Sequence, residues 1–266
     1  MKQQTPEKNY DGKLLNSRSP FAINEAFRTL RTNMFYTSKG EKCPVYGITS
    51  CFANSGKSLI ISNTAISFAQ LNKRVLLIDC DLRNSVIHKI FGVEKGLGIS
   101  ELLAGSDNAV DKALRKTKYE NLQIITSGGT PPNPTELLAS DRMEKLIGIL
   151  KNHFDVIFID LPPIGLVTDA AVLNEIVTGF VLVVRSGFDD RRDLKQAVSV
   201  MEQMNVNIIG FILNDVNVKA VGKYGKYGKY GRYGRYGKYG KYQKYGKYQK
   251  YGKYSTSYNN NYYSNY

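Results

Sequence analysis

The stretch VYGITSCFANSGKSLI, residues 45–60, divides into three parts. Residues 45–50 form an apolar run of strand length. Residues 51–55 make a tight loop, and Gly56-Lys57-Ser58 opens an apolar helix. A strand feeding a loop that ends in Gly-Lys-Ser at a helix start is the layout of a phosphate-binding loop. Free backbone N–H groups and the helix dipole favour an anion there. Asn54, Ser55, Gly56, Lys57, Ser58 and Leu59 are the expected phosphate cradle. Lys57 is placed to reach terminal phosphates and the Ser58 hydroxyl to ligate magnesium. Cys51 and Asn54 stand where glycines are common. Asn is the non-glycine residue that best tolerates a left-handed backbone, so the loop can still close.

Outward from this stretch, short apolar runs alternate with helical patterns. Residues 74–79 (RVLLID), 122–126, 154–160 (FDVIFID), 179–185 and 208–214 read as further strands. Helices are expected over 58–71 (amphipathic), 135–152 and about 190–204. This alternation predicts an α/β fold, a doubly wound and mostly parallel sheet flanked by helices. In such sheets ligands sit beyond the carboxyl ends of the strands. Ser50 with its loop, Asp79 and Asp160 should therefore converge on one edge. Asp160 is the natural magnesium-orienting acid. Asp79 and Asp81, two apart, share a side in extended backbone; one can hold the metal shell while the other accepts a proton from an incoming hydroxyl. Asn214, at the end of the last strand, is placed to touch a nucleobase. His88 and His153 read as surface groups.

Residues 1–18 read as polar and mobile. Ser19-Pro20 then makes a helix start, with Ile23, Phe27, Leu30 and Met34 at helical spacing on one face. Glu25, Arg28 and Arg31 form a charged stripe away from it, either a solvated surface or a contact with another subunit.

The chain's net charge of +14 is uneven: residues 222–266 hold 11 Lys or Arg and no acid, which leaves +3 on the rest, an ordinary globular balance. Three unevenly spaced cysteines suggest neither a disulfide framework nor a zinc site, in keeping with a reducing cytosol. No signal peptide is read at the start, and the apolar run 177–184 is too short to cross a bilayer. Membrane association is therefore expected through a partner or through charge. The organisation predicted is an N-terminal arm and helix (1–40), a phosphate-loop domain (41–218) and a disordered tyrosine-rich tail (219–266). Gly-Lys-Tyr repeats from Gly222, and glycine at nearly every third place opposes a helix by roughly 1 kcal/mol each. With no aliphatic residue after Val221, disorder is expected.

Five motifs in order resemble the bacterial tyrosine kinases of capsule and exopolysaccharide synthesis, relatives of the ParA/MinD-type P-loop ATPases. They are Glu25-x-x-Arg28-x-x-Arg31-Thr32-Asn33, the phosphate loop, Leu77-Ile78-Asp79-Cys80-Asp81-Leu82-Arg83, Pro131-Pro132-Asn133-Pro134-x-Glu136-Leu137-Leu138, and Ile159-Asp160-Leu161-Pro162-Pro163. The resemblance implies an ATP- and magnesium-dependent tyrosine autokinase. Lys57 and Ser58 then belong to the Walker A loop, Asp79 and Asp81 to a second acidic motif with Asp81 as base, and Asp160 to Walker B. It also implies a ring-like homo-oligomer through Glu25, Arg28 and Arg31, and a transmembrane polysaccharide co-polymerase as adaptor. The adaptor would recruit a cytoplasmic protein to the inner face of the membrane, and a cognate tyrosine phosphatase would reverse the modification. No specific nucleic-acid partner is expected. Phe52 occupies the position of the signature lysine of ParA/MinD ATPases, which makes a cargo-partitioning ATPase the weaker candidate; the runner-up is a regulatory nucleotide-binding assembly switch with little kinase activity. The third reading is a polyanion-binding protein acting through its basic, aromatic tail.

The expected substrate is the tail, with Tyr224, Tyr227, Tyr230, Tyr233, Tyr236, Tyr239, Tyr242, Tyr245, Tyr248, Tyr251, Tyr254, Tyr258, Tyr262, Tyr263 and Tyr266. A flexible chain of that length spans on the order of 35–40 Å, enough to reach a neighbouring subunit. Each phosphotyrosine adds about −1.5 to −2, so roughly six or seven cancel the tail's cations and the rest reverse its sign. Like-charged tails repel, so the phosphorylated form is expected to run smaller on gel filtration; an unchanged oligomer would contradict this.

Overall fold

The computed structural model describes residues 10, 12–38, 40–105, 110–164 and 172–216. The tyrosine-rich repeat, and the expectations of disorder and modification attached to it, lie outside these residues. The elements in chain order are α1 (Phe21–Thr37), β1 (Val45–Ser50), α2 (Lys57–Ala69), β2 (Val75–Asp79), α3 (Ile87–Phe91), α4 (Ile99–Ala104), α5 (Val110–Ala113), β3 (Leu114–Lys116), β4 (Leu122–Ile125), α6 (Pro134–Leu138), α7 (Asp141–Leu150), β5 (Val156–Asp160), β6 (Gly179–Arg185), α8 (Arg191–Gln203) and β7 (Ile208–Asn214).

The strands form one seven-stranded sheet in the order β3-β4-β2-β5-β1-β6-β7. Every pairing is parallel except β3 with β4. Strands β1, β2 and β5 are buried at every position. Helices cover both faces, which is why these strands read as unbroken apolar runs. Alternate residues serve opposite layers. Leu76, Ile78, Ile157 and Ile159 pack with α4, α6, α7 and α8. Leu77, Phe158, Tyr46 and Ile48 pack with α1, α2 and α3. In that second layer Phe158 stacks on Tyr46 at 5.6 Å and meets the edge of Phe68 at 5.2 Å. The buried Tyr46 hydroxyl donates to the Met34 carbonyl at 2.6 Å, which offsets the cost of burying the polar end of the ring.

Several local expectations need correction. Helix α2 is not amphipathic: ten of its 13 residues are buried, because α1 and the preceding arm cover the side turned from the sheet. Its polar residues are accordingly partnered. Asn63 accepts the Leu15 N–H at 2.7 Å and donates to the Lys13 carbonyl at 3.1 Å, and Ser67 receives Arg31. The arm itself, where described, is packed rather than free, with Leu14 and Leu15 buried. On α1 the apolar face is narrower than its spacing suggested. Met34 is buried, Phe27 and Leu30 pack on the core, and Ile23 is exposed. The helix expected over 135–152 is two, α6 and α7, broken at Ala139-Ser140. Ser140 is extended (φ −75°, ψ 149°) and its hydroxyl turns back to the Leu137 carbonyl. Serine before Asp141 and Glu144 is a helix-start signal lying inside an apolar pattern. The three-residue edge strand β3 and the short helices α3, α4 and α5 carry too few residues for periodicity to show.

Gly47, mid-strand in β1, marks close packing near the sheet centre. A Cβ built there would lie 2.9 Å from the Phe180 ring and 3.1 Å from Leu161. Gly47→Ala is expected to lower stability by about 1–3 kcal/mol through overpacking, read as a reduced urea midpoint with an unchanged slope.

Candidate functional site

Strands β2, β5 and β1 are neighbours, so whatever follows their carboxyl ends meets at one edge. Asp79 and Asp160 end β2 and β5 in the same register. The loop after β1 lies beside them and leads into α2 at Lys57. Asn54 (φ 65°) and Gly56 (φ 86°) both take the left-handed backbone, as expected for Asn54 from its chemistry. Ser50 and Ser55 donate their hydroxyls to the Phe52 carbonyl at 2.8 and 2.9 Å, which cinches the loop. Cys51 fills the first glycine position from the core side, where burial pushes its thiol up to about 11. Helix α2 has no side-chain cap, so its first-turn N–H groups remain for a ligand.

Lys57 occupies the middle of the constellation. Its ammonium donates to Asp160 Oδ1 at 2.7 Å, lies 3.6 Å from Asp81 Oδ2 and reaches the Ser58 hydroxyl at 3.3 Å. All three charged groups are buried. Burial acts to lower the Lys57 pKa, but Asp160 and Asp81 overcome it and hold the lysine above its ordinary value. Burial raises Asp160, with Lys57 pulling the other way. Asp79 is pushed up to about 8, first by burial and then by the adjacent Asp160 charge. Its carboxylate accepts the backbone N–H of Asp81 at 3.3 Å and of Ile87 at 3.2 Å. Asp160 Oδ2 is buried and has no hydrogen-bond partner.

The predicted residues Lys57, Ser58, Asp81 and Asp160 are thus joined by direct contacts, with Asp79 in register beside Asp160. Asn214 contacts the loop: its amide donates to the Ser55 carbonyl at 2.9 Å. The stripe on α1 is split. Glu25 and Arg28 pair at 2.7 Å on the surface, while Arg31 turns inward to the Ser67 carbonyl and hydroxyl. Two contributors carried no sequence signal. Arg185, at the end of β6, reaches the Asn54 carbonyl at 3.4 Å. Glu101 accepts the N–H groups of Gly98 and Gly129, each at 2.8 Å, and so fixes the turn before the proline-rich segment 131–134.

This edge, with its loop, lysine and strand-end acids, is that of a P-loop nucleotide-binding protein. A protein-family model described as an AAA domain matches residues 53–184. Tyrosine-protein kinase CpsD of Streptococcus agalactiae is 40% identical over 220 residues, covering 81% of this chain and 93% of that protein. The solved kinase domain of Escherichia coli tyrosine kinase ETK is 37% identical with a TM-score of 0.69, covering 73% of this chain and 75% of that one. A MinD septum site-determining protein from Pyrococcus horikoshii, solved with Mg-ADP, shares the fold at a TM-score of 0.55 and 23% identity, over 68% of this chain and 76% of its own. The chain belongs to the bacterial tyrosine-protein kinases.

Asp79 generates a prediction with a definite sign. Between the ordinary carboxylate value of 3.8 and about 8, the folded chain keeps a proton that the unfolded chain has released. Stability therefore falls as pH rises through that window and levels off above it. Asp79→Asn abolishes the difference, so urea midpoints measured from about pH 5 to about pH 8 should run flatter for the variant than for its parent.

Proposed function

We propose that this kinase transfers the terminal phosphate of ATP to tyrosines of its own C-terminal repeat, between subunits of a homo-oligomer. The observation that carries the reading is the buried Lys57 ammonium, held at the phosphate loop by Asp160 and Asp81. One cation faces three acids, Asp79, Asp81 and Asp160, and even with a proton held on Asp79 the acids outnumber it, which leaves the site suited to further positive charge. The unpartnered Oδ2 of Asp160 points to the same need. Among the described residues no cluster of three His, Cys, Asp or Glu is placed to cage a metal ion. That fits magnesium, which keeps several waters and shares its ligands with phosphates. Ser58, Asp79 and Asp160 are the groups that would hold it. Bound there, magnesium supplies charge neutralisation at the phosphate oxygens.

The chain's own residues do the rest. Free N–H groups at the start of α2 and the Lys57 ammonium receive the phosphates, Lys57 exchanging its carboxylate partners for phosphate oxygens. Asp81, held on the same edge, accepts the proton of the incoming tyrosine hydroxyl. The exposed Glu25–Arg28 pair supports the subunit contact, and Arg31 secures the helix that presents it. On the family's pattern, the role is control of capsular or exopolysaccharide synthesis from the cytoplasmic face of the membrane. A transmembrane polysaccharide co-polymerase would serve as adaptor and a tyrosine phosphatase as its opponent. No helix among the described residues is long and apolar enough to cross a membrane, which accords with recruitment through a partner.

Incubation with labelled ATP and magnesium tests the reading. The parent chain is expected to label its tail tyrosines. Lys57→Met should leave no label, and Asp81→Asn should slow labelling by about 10²–10⁴-fold. Lys57→Met mixed with a tail-truncated parent should regain label on its own tail if transfer runs between subunits. Nucleotide binding without any tyrosine label would point instead to a regulatory assembly switch.

A further inference from the structure

The phosphate loop is held by donors outside its own residues. Carbonyls of Asn54 and Ser55 take their hydrogen bonds from outside it. The Asn214 amide donates to the Ser55 oxygen at 2.9 Å, and the Arg185 guanidinium to the Asn54 oxygen at 3.4 Å. Both donors stand at the carboxyl ends of adjoining strands, β6 and β7, where Arg185 and Asn214 are register partners. The Asn214 amide is packed so closely that a Cβ on Gly56 would lie 2.3 Å from its nitrogen. Arg185 is itself fixed. Its Nε and a terminal nitrogen both donate to Asp215 at 3.0 Å, and its guanidinium carbon lies 5.3 Å from the centroid of the Phe188 ring.

From this we infer that Asn214 and Arg185 are positioning residues of the phosphate loop: they hold its carbonyls on the strand side so that its N–H groups stay aimed at the nucleotide's phosphates. A peptide's carbonyl and N–H point in opposite directions, so anchoring the oxygens of residues 54 and 55 orients the N–H groups of residues 55 and 56. In a loop with Cys51 and Asn54 at glycine positions, these external donors supply the order that sequence does not. This role differs from that of a nucleobase contact, because it acts through the loop and on the phosphates. The inference rests on the proposed nucleotide-binding role of this loop.

The two roles separate by comparing ADP with AMP on the full chain, by titration calorimetry with magnesium present. For the parent, ADP is expected to bind more tightly than AMP. In Asn214→Ala, ADP affinity should fall about tenfold with AMP affinity changing much less. Asn214→Asp, the same size without the N–H, should fall at least as far, since a carboxylate then faces the Ser55 oxygen. Arg185→Ala should shift the ADP-to-AMP ratio in the same direction. Retained AMP binding in each variant shows that the fold is intact. Equal losses for ADP and AMP would assign Asn214 to the base and overturn the inference, as would an unchanged ratio in all three variants. A parent chain that binds neither nucleotide would overturn the nucleotide-site reading itself, and the inference with it.

Discussion

The contact between the Lys57 ammonium and the Asp160 carboxylate, 2.7 Å apart and shut away from water, sets the terms for the rest of the site. Removing one partner of such a buried pair leaves an uncompensated charge that costs on the order of 3–5 kcal/mol. The sheet accommodates the pair by placing β2, β5 and β1 side by side, so that acids at two strand ends and a lysine from the following helix meet in a few ångströms. Asp79 relieves part of the excess negative charge by holding a proton up to about pH 8. Lys57, Asp81 and Asp160 therefore form a compact network of buried charged groups.

Supporting that network requires that the strand ends do not shift. Both faces of the sheet are covered, so the central strands have no solvent side on which to slide, and a one-residue slip would move every side chain to the wrong layer. Packing at Gly47, where two side chains already occupy the space a Cβ would need, pins β1 against β6. The loop leaves β1 only four residues later. Structural tolerance and catalytic geometry are thus coupled through one strand.

Most of this was readable from the chain alone, and the reasons are specific. Strands β1, β6 and β7 match their expected limits, and β2, β4 and β5 lie within theirs, because parallel strands covered by helices read as unbroken apolar runs; β7, at the sheet edge and partly exposed, is apolar as far as Asn214 all the same. The convergence of Lys57, Asp81 and Asp160 followed from the rule that ligands gather at strand carboxyl ends. Other features depended on distances that spacing does not encode. Residues 25, 28 and 31 looked like one stripe, but each three-residue step falls about 60° short of a helical turn. Arg31 therefore lies about 120° round from Glu25, and turns to α2. Leu14-Leu15 is too short a pair to announce that the arm is packed. Arg185 belongs to no motif, and only the folded chain shows its reach to the loop.

That inward turn of Arg31 has a mechanical corollary. Its anchor, Ser67, lies in the same rigid rod whose first residue is Lys57, ten positions and about 15 Å away along the axis. Through Arg31, α1 is tied to one end of this rod, while its other end carries the ammonium. The tie between α1 and α2 and the ammonium of the phosphate loop therefore sit on one helix, joined by its continuous backbone.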